Sequence, residues 1–356
     1  MLAPLRIPNA YCFSQIQPGS ALTAYAYVFA GEGGHVLVEP LLPDEPIAQA
    51  LDDLGGLSLI VVMSEERREA ARLLAARYGC KVVSEPGHRE TIAPGMRAIA
   101  LPDQHRANEF AVSIIETRTL LCGDTLLGTP AGALSLPAES SYADPLKGAL
   151  GLRRIMREYP ETILTSFGEP VFAGAYGALY AALHARAGAE LLRINLDDLE
   201  FLDERVEHPE QPSQFSCHDA EVGFTIGARK LGYRVSTLEP GTRFCPLHGH
   251  AREEELFLVL DGEPSVRTLS GTIRCRKGDF IALPVGVSGT HQLLNESDAP
   301  ATVLLLARTE TFDVCYYPDS DKLLVDMPTP LIEGRDSLLI AASPQLDYFH
   351  GETEDF

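Results

Sequence analysis

With 356 residues and 45% hydrophobic content, the chain is long enough to bury two ordinary cores. Its formal net charge of −21, from 29 basic and 50 acidic residues, repels phosphate backbones and anionic lipid, so neither nucleic acid nor a membrane surface is an expected partner. The longest apolar runs, such as Leu57 to Met63 and Ala301 to Ala307, have the length of strands and are too short to cross a bilayer.

The opening Met1-Leu-Ala-Pro-Leu-Arg-Ile-Pro-Asn9 has no apolar signal core ahead of a small-residue cleavage site, so a cytoplasmic protein is expected. Val36 to Glu39 reads as a strand. Pro43-Asp-Glu-Pro46 then introduces a helix from about Ile47 to Leu54, with acids at its positive end. Leu57 to Met63 is a buried strand. Ser64, Glu65 and Glu66 open a helix whose apolar positions Ala70, Leu73 and Leu74 recur at helical spacing and which Gly79 ends. Strand signals follow at Cys80 to Ser84, Arg97 to Leu101, Phe110 to Ile115 and Thr119 to Leu121. A helix is predicted from about Leu146 to Tyr159, a strand from Thr162 to Ser166, and a small-residue helix from Ala173 to Arg186. This order predicts an α/β layered domain over 1–195. The acidic, proline-bearing stretch 196–215 reads as a linker, and 216–356 as a second domain with a Pro- and acid-rich tail after Val325. Seven scattered cysteines contain no Cys-x-x-Cys pair, which argues against a disulfide framework and for reduced thiols.

In its order of elements the first part resembles the metallo-β-lactamase fold, with its αββα layers. In that family the strand matching Leu57 to Met63 ends in a loop bearing His-x-His-x-Asp-His, the core of a zinc site. Here the loop reads Met63-Ser-Glu-Glu-Arg-Arg-Glu-Ala70, without a histidine. Leu121-Cys-Gly123-Asp124-Thr125 resembles the family's Gly-Asp turn, whose Asp bridges two metals. Phe167 stands where a final histidine ligand falls, and His105 remains from another ligand loop. One histidine and one Asp cannot serve metals that demand three or four donors. The resemblance therefore implies a degenerate hydrolase fold, kept for structure, interface or small-ligand binding and without tightly bound metal.

The second part carries the sharper pattern. In His248-Gly-His250, ring nitrogens at i and i+2 share one face of a strand, because side chains alternate across the pleat. Glu255 opens an apolar strand through Leu260, and a later strand brings His291. His248, His250, Glu255 and His291 are a candidate ligand set for one divalent transition metal: Zn, Fe, Mn, Ni, Co or Cu. Glu253 and Glu254 are alternative carboxylates on the preceding turn. Cys245 has the opposite parity and is expected to point away. Proton competition for the imidazoles is expected to empty such a site below about pH 6.

These residues resemble the cupin superfamily over about 227–325. The first cupin motif matches at His248, His250, Glu255 and Gly262, the second at Gly278, Pro284, Gly286, His291 and Asn295. Two loop spacings depart from the family pattern, before His248 and before His291. The resemblance implies an all-β barrel that pairs as a homodimer and a three-His, one-Glu centre open to a small-molecule ligand. Its activities are those of oxygenases, isomerases, decarboxylases and epimerases of small polar substrates, with an oxygenase or isomerase expected here. The alternative is a non-catalytic, metal-dependent binding or sensing module. Tyr233, Phe257, Arg267, Gln292 and Tyr317 are the candidate pocket residues.

Overall fold

The computed structural model describes residues 2–16, 21–31, 34–207, 210–308, 312–327 and 337–344, with 346 and 350. They divide into two compact units, Met1–Arg193 and Ile194–Phe356.

The first unit holds two sheets. One orders Ala3–Pro4, Ala10–Ile16, Thr23–Phe29, Val36–Val38, Leu59–Val61 and Lys81–Val83, antiparallel up to Val36–Val38 and parallel beyond it. The other orders Thr162–Thr165, Thr119–Cys122, Phe110–Ile114, Met96–Ala100 and Thr91–Ala93. Tyr27, Val38 and Val61 from the first sheet share a core with Ala98, Val112, Leu121 and Leu164 from the second. On the first sheet's other face, Val28, Leu37 and Ile60 pack with Ile47, Leu51 and Leu74.

Local chemistry sets the helix ends. Asp44 caps Glu45–Asp53 by accepting from Ile47 N at 3.0 Å. A 3₁₀ turn at Glu65–Arg67 precedes the helix Arg68–Tyr78, which stops where Gly79 turns left-handed at φ 65°. Two expectations need correction. The helix read as Leu146 to Tyr159 is broken into Pro145–Gly151 and Arg153–Met156. The chain there passes so close to the preceding loop that a Cβ on Gly151 would lie 2.2 Å from the Pro102 carbonyl. Leu73, read as part of the apolar face, is exposed, and Ala71 is buried in its place.

The second unit is built from antiparallel strands. Its largest sheet orders Leu202–Asp203, His218–Glu221, Leu231–Leu238, Ala301–Arg308, Glu255–Asp261 and Phe280–Leu283. A second sheet orders Gly271–Arg274, Ser265–Thr268 and His291–Leu294. A third orders Gly249–His250, Val314–Tyr317, Lys322–Asp326 and Ser337–Ala341. Leu238, Phe257, Val259, Leu283 and Val303 from the first share one core with Val266 and Leu293 from the second. The stretch read as a linker contributes the strand Leu202–Asp203 to the largest sheet. Much of the expected tail after Val325 lies outside the described residues.

Candidate metal centre

Backbone register assembles the cluster. His248 and His291 exchange both main-chain hydrogen bonds, N to O at 3.0 and 2.8 Å. Directly opposed residues of an antiparallel pair present their side chains on one face, and the two rings stand 4.7 Å apart. His250 follows two residues after His248 and pairs with Cys315. Glu255 starts its strand between Leu283 and Ala307. Its Oε2 lies 3.0 Å from His291 Nε2 and 3.4 Å from His250 Nε2.

The far nitrogens are all occupied. His248 Nδ1 meets Pro246 O at 3.0 Å, His291 Nδ1 meets Gly289 O at 2.8 Å, and His250 Nδ1 meets Asp313 Oδ2 at 2.7 Å. An acceptor on Nδ1 fixes the tautomer that leaves the Nε2 lone pair free. Asp313 is itself buried and takes Arg252 N on its other oxygen at 2.8 Å. Within this cage His250 Nε2 and Glu255 Oε2 are buried and have no hydrogen-bond partner. Orphaned polar atoms facing one another in a dry site are what a bound cation would satisfy.

The electrostatics follow from the same contacts. Burial pulls His248 down to about 4, and the imidazoles of His291 and His250 act in the same direction. Burial opposes the charge on His250 as well, but the neighbouring Cys315, Glu255 and Asp313 carry it up to about 11. Burial raises Glu255, and the nearby imidazoles of His250 and His291 outweigh it and hold the carboxyl well below the usual carboxylate range. Asp313 also stays low despite burial, held by His250 and by the Arg252 backbone.

The other sequence candidates fall in different places. Tyr317 lies over His248, ring centroids 5.8 Å apart and planes 22° from parallel. Phe257 is a core residue, 1% exposed, with its ring edge-on to His291 at 5.2 Å. Gln292 follows His291 and gives Nε2 to Cys245 O at 2.8 Å. Arg267 spends its guanidinium on Gln292 and on Asp319, at 2.7 and 2.9 Å for the latter. Tyr233 pairs through its backbone with Leu306, and its ring makes no hydrogen bond or ring contact with the cluster among the described residues. Glu253 Oε2 comes to 3.9 Å from His250 Nδ1, while Glu254 is exposed.

Two thiols and a carboxylate outside the candidate ligand set reach the imidazoles. Cys245 sits in a bend rather than a strand, so parity does not govern it, and its Sγ lies 3.6 Å from His248 Nδ1. Cys315 Sγ lies 3.3 Å from His250 Nδ1. With Asp313 it flanks the nitrogen that faces away from Glu255. Alternation along Val314–Tyr317 could have flagged Cys315 and Tyr317 together, but no spacing rule connects them to His250.

A second collection lies in the first unit. His105 Nδ1 is 3.3 Å from Glu109 Oε1, and its Nε2 is 3.6 Å from Asp124 Oδ2. The sequence reading counted one histidine and one Asp. The loop fold adds Glu109, which has no recognisable spacing to either, so three donor side chains gather there. Arg106 Nη2 already lies 2.7 Å from Asp124 Oδ2.

The family model described as Metallo-beta-lactamase superfamily matches residues 2–180, and the one described as Cupin domain matches residues 234–307. Among solved structures, the chain is similar to a putative sugar phosphate isomerase from Acidithiobacillus ferrooxidans. The identity is 19%, over 44% of this chain and 97% of that one, with a TM-score of 0.38. A metallo-beta-lactamase from Pontibacter korlensis is 14% identical over 53% of this chain and 100% of its own, with a TM-score of 0.43. No curated protein matches. No helix among the described residues is long and apolar enough to cross a membrane.

Proposed function

The chain belongs to the metallo-beta-lactamase superfamily through its first half and carries a cupin domain in its second; from that premise we propose that the second half is a metalloenzyme acting on a small polar substrate. His248, His250, Glu255 and His291 hold one divalent transition ion. The observation that carries this is the outward tie on every Nδ1, together with the orphaned His250 Nε2 and Glu255 Oε2 turned into the cage. A bound ion would supply Lewis-acid or redox chemistry of the isomerase or oxygenase kind. The chain's own residues orient and exclude. Asp313, Pro246 O and Gly289 O aim the rings, buried Phe257 keeps water from the far side of His291, and Tyr317 covers one face of His248.

On this reading 196–215 joins the two halves, and the first half is a helix–sheet–sheet–helix scaffold. The chain pairs with a second copy through the apolar outer surface at Leu269, Ile273, Phe280 and Val287, all exposed.

One observation favours the second reading, a binding or sensing module without turnover. Burial first, and then the neighbouring Cys315 and Cys245, push the Tyr317 phenol up to about 12. That is too high for a base at neutral pH. Arg267 and Gln292 are engaged elsewhere.

Elemental analysis of the purified full-length chain tests the centre. It should find about one transition ion per chain, largely lost in His250→Ala and in His291→Ala with the circular dichroism unchanged. Undiminished metal in both variants would overturn the reading. Metal-dependent turnover of small hydroxy or keto compounds selects the enzyme. A metal-dependent thermal shift with no turnover selects the module.

A further inference from the structure

The first half belongs to a family whose members hold metal, yet its donor set does not fit a dinuclear centre. The loop from Met63 to Ala70 carries no imidazole, and Phe167 stands at the final ligand position. We propose that guanidinium groups have taken the place of the metal cations in the first half, Arg106 on Asp124 and Arg67 between Glu39 and Phe167.

The residues that break the metal pattern face one another. Arg67, from the loop that lacks histidine, places its guanidinium 4.9 Å from the centre of the Phe167 ring. The side chain is 1% exposed, with Nε 3.8 Å from Glu39 Oε2 and Nη2 3.4 Å from Ser166 O. Glu39 is fully enclosed. It gathers Met63 N at 2.6 Å, Ser64 N at 2.9 Å and the hydroxyls of Ser64 and Ser166. Glu39 thereby ties the ends of the strands Val36–Val38, Leu59–Val61 and Thr162–Thr165, with the buried Arg67 cation beside it.

Arg106 is the second guanidinium. It bridges Asp124, at 2.7 Å, and Glu66, at 3.0 Å. Burial first, and then Asp124, push the Glu109 carboxyl up to about 8. His105, Glu109 and Asp124 nevertheless keep donor atoms within 4.8 Å of one another, and both Glu109 oxygens and His105 Nδ1 lack hydrogen-bond partners. What stands in the way of an ion is the positive charge of Arg106. Guanidinium and metal are therefore alternatives at Asp124, and removing the one admits the other.

The test counts zinc in the full-length chain carrying His248→Ala, His250→Ala and His291→Ala, so that only the first half can contribute. With Arg106 intact it should hold less than about a tenth of an equivalent after dialysis against micromolar zinc. Adding Arg106→Ala should raise this to roughly one equivalent, and adding Asp124→Asn should abolish the gain. Arg106→Gln, which keeps the bulk and loses the charge, should gain zinc too, and it guards against a folding defect in the alanine variant. Two results would overturn the proposal. One is an equivalent of zinc retained with Arg106 present and lost with Asp124→Asn. The other is no gain in either folded Arg106 variant.

Discussion

Around Glu255 three imidazoles each give Nδ1 to an acceptor outside the cluster, Pro246 O, Asp313 or Gly289 O, and turn Nε2 inward. Around His105 a single ring lies between two carboxylates, Glu109 at 3.3 Å and Asp124 at 3.6 Å, so each nitrogen faces a different neighbour. Both regions collect imidazole and carboxylate, and in both the groups are largely withdrawn from water. The difference lies in direction. Where the outer nitrogen is held, lone pairs converge on a point; where the two nitrogens of one ring face different carboxyls they diverge, and a guanidinium meets Asp124 instead. A count of donor residues does not identify a metal centre unless the partner of each far atom is also known.

The largest effect expected from this contrast is in the first half and concerns stability. Glu39→Ala leaves Arg67 buried without its carboxylate and frees the amides of Met63 and Ser64. Removing one partner of a buried pair costs about 3–5 kcal/mol, so thermal unfolding of this half should shift strongly downward while metal content is unchanged. A small shift would show that Glu39 is no hub.

Next comes Asp313. Asp313→Ala should weaken metal affinity about 10–100-fold in a chelator competition, because the His250 ring loses its tautomer and its aim. Asp124→Asn, the matching change in the first half, should leave that affinity alone. Equal effects from the two would erase the distinction between the regions.

A third measurement is pH dependence. His248 is already neutral above about 4, whereas His250 holds its proton up to about 11 in the metal-free protein. Metal must displace that proton. The free form binds one proton more than the loaded form, so affinity should rise with pH, by about tenfold per unit below 11. The window lies well above the pH 6 expected from free imidazoles. The sign for folding is the reverse: raised from its ordinary value, the His250 proton stabilises the metal-free fold fully below about pH 6.5, and that contribution is lost as pH climbs through 11. A pH-independent affinity between 6 and 9 would show that His250 carries no extra proton in the metal-free protein.

The smallest effect is the control. Glu254 is exposed, and Glu254→Ala should change stability by less than about 0.5 kcal/mol and leave metal content unaltered. Glu255→Ala should empty the centre. The opposite pattern would put the strand in the wrong register.

Much of this was legible in the residues. The His-x-His spacing, Glu255 at a strand start and the later His291 are local signals, and a pleat or a strand pair converts them directly into proximity. What escaped came from contacts that spacing does not encode. Asp313 and Cys315 reach His250 only because Gly249–His250 pairs with Val314–Tyr317. Glu109 joins His105 through the folding of a loop. The strands Ala10–Ile16 and Thr23–Phe29 were not read at all. The second of these packs on both faces, so it shows none of the alternation that marks a half-exposed strand. Helix ends fared better at Asp44 and Gly79, where one residue's chemistry decides, than at Gly151, where a distant carbonyl does.

The reciprocal backbone bonds between His248 and His291 carry one more consequence. They hold two donors in place by main-chain pairing alone, so the cage stands before any ion arrives. A zinc finger screens its metal at the moment of folding, since the wrong ion leaves the chain unfolded. A cage already standing has no such checkpoint. Its occupant is settled afterwards, by the rising affinity of divalent ions from manganese to copper and by which of them the surroundings supply. The metal recovered from this chain should therefore follow the growth medium, and an ion introduced by exchange should be accepted without refolding.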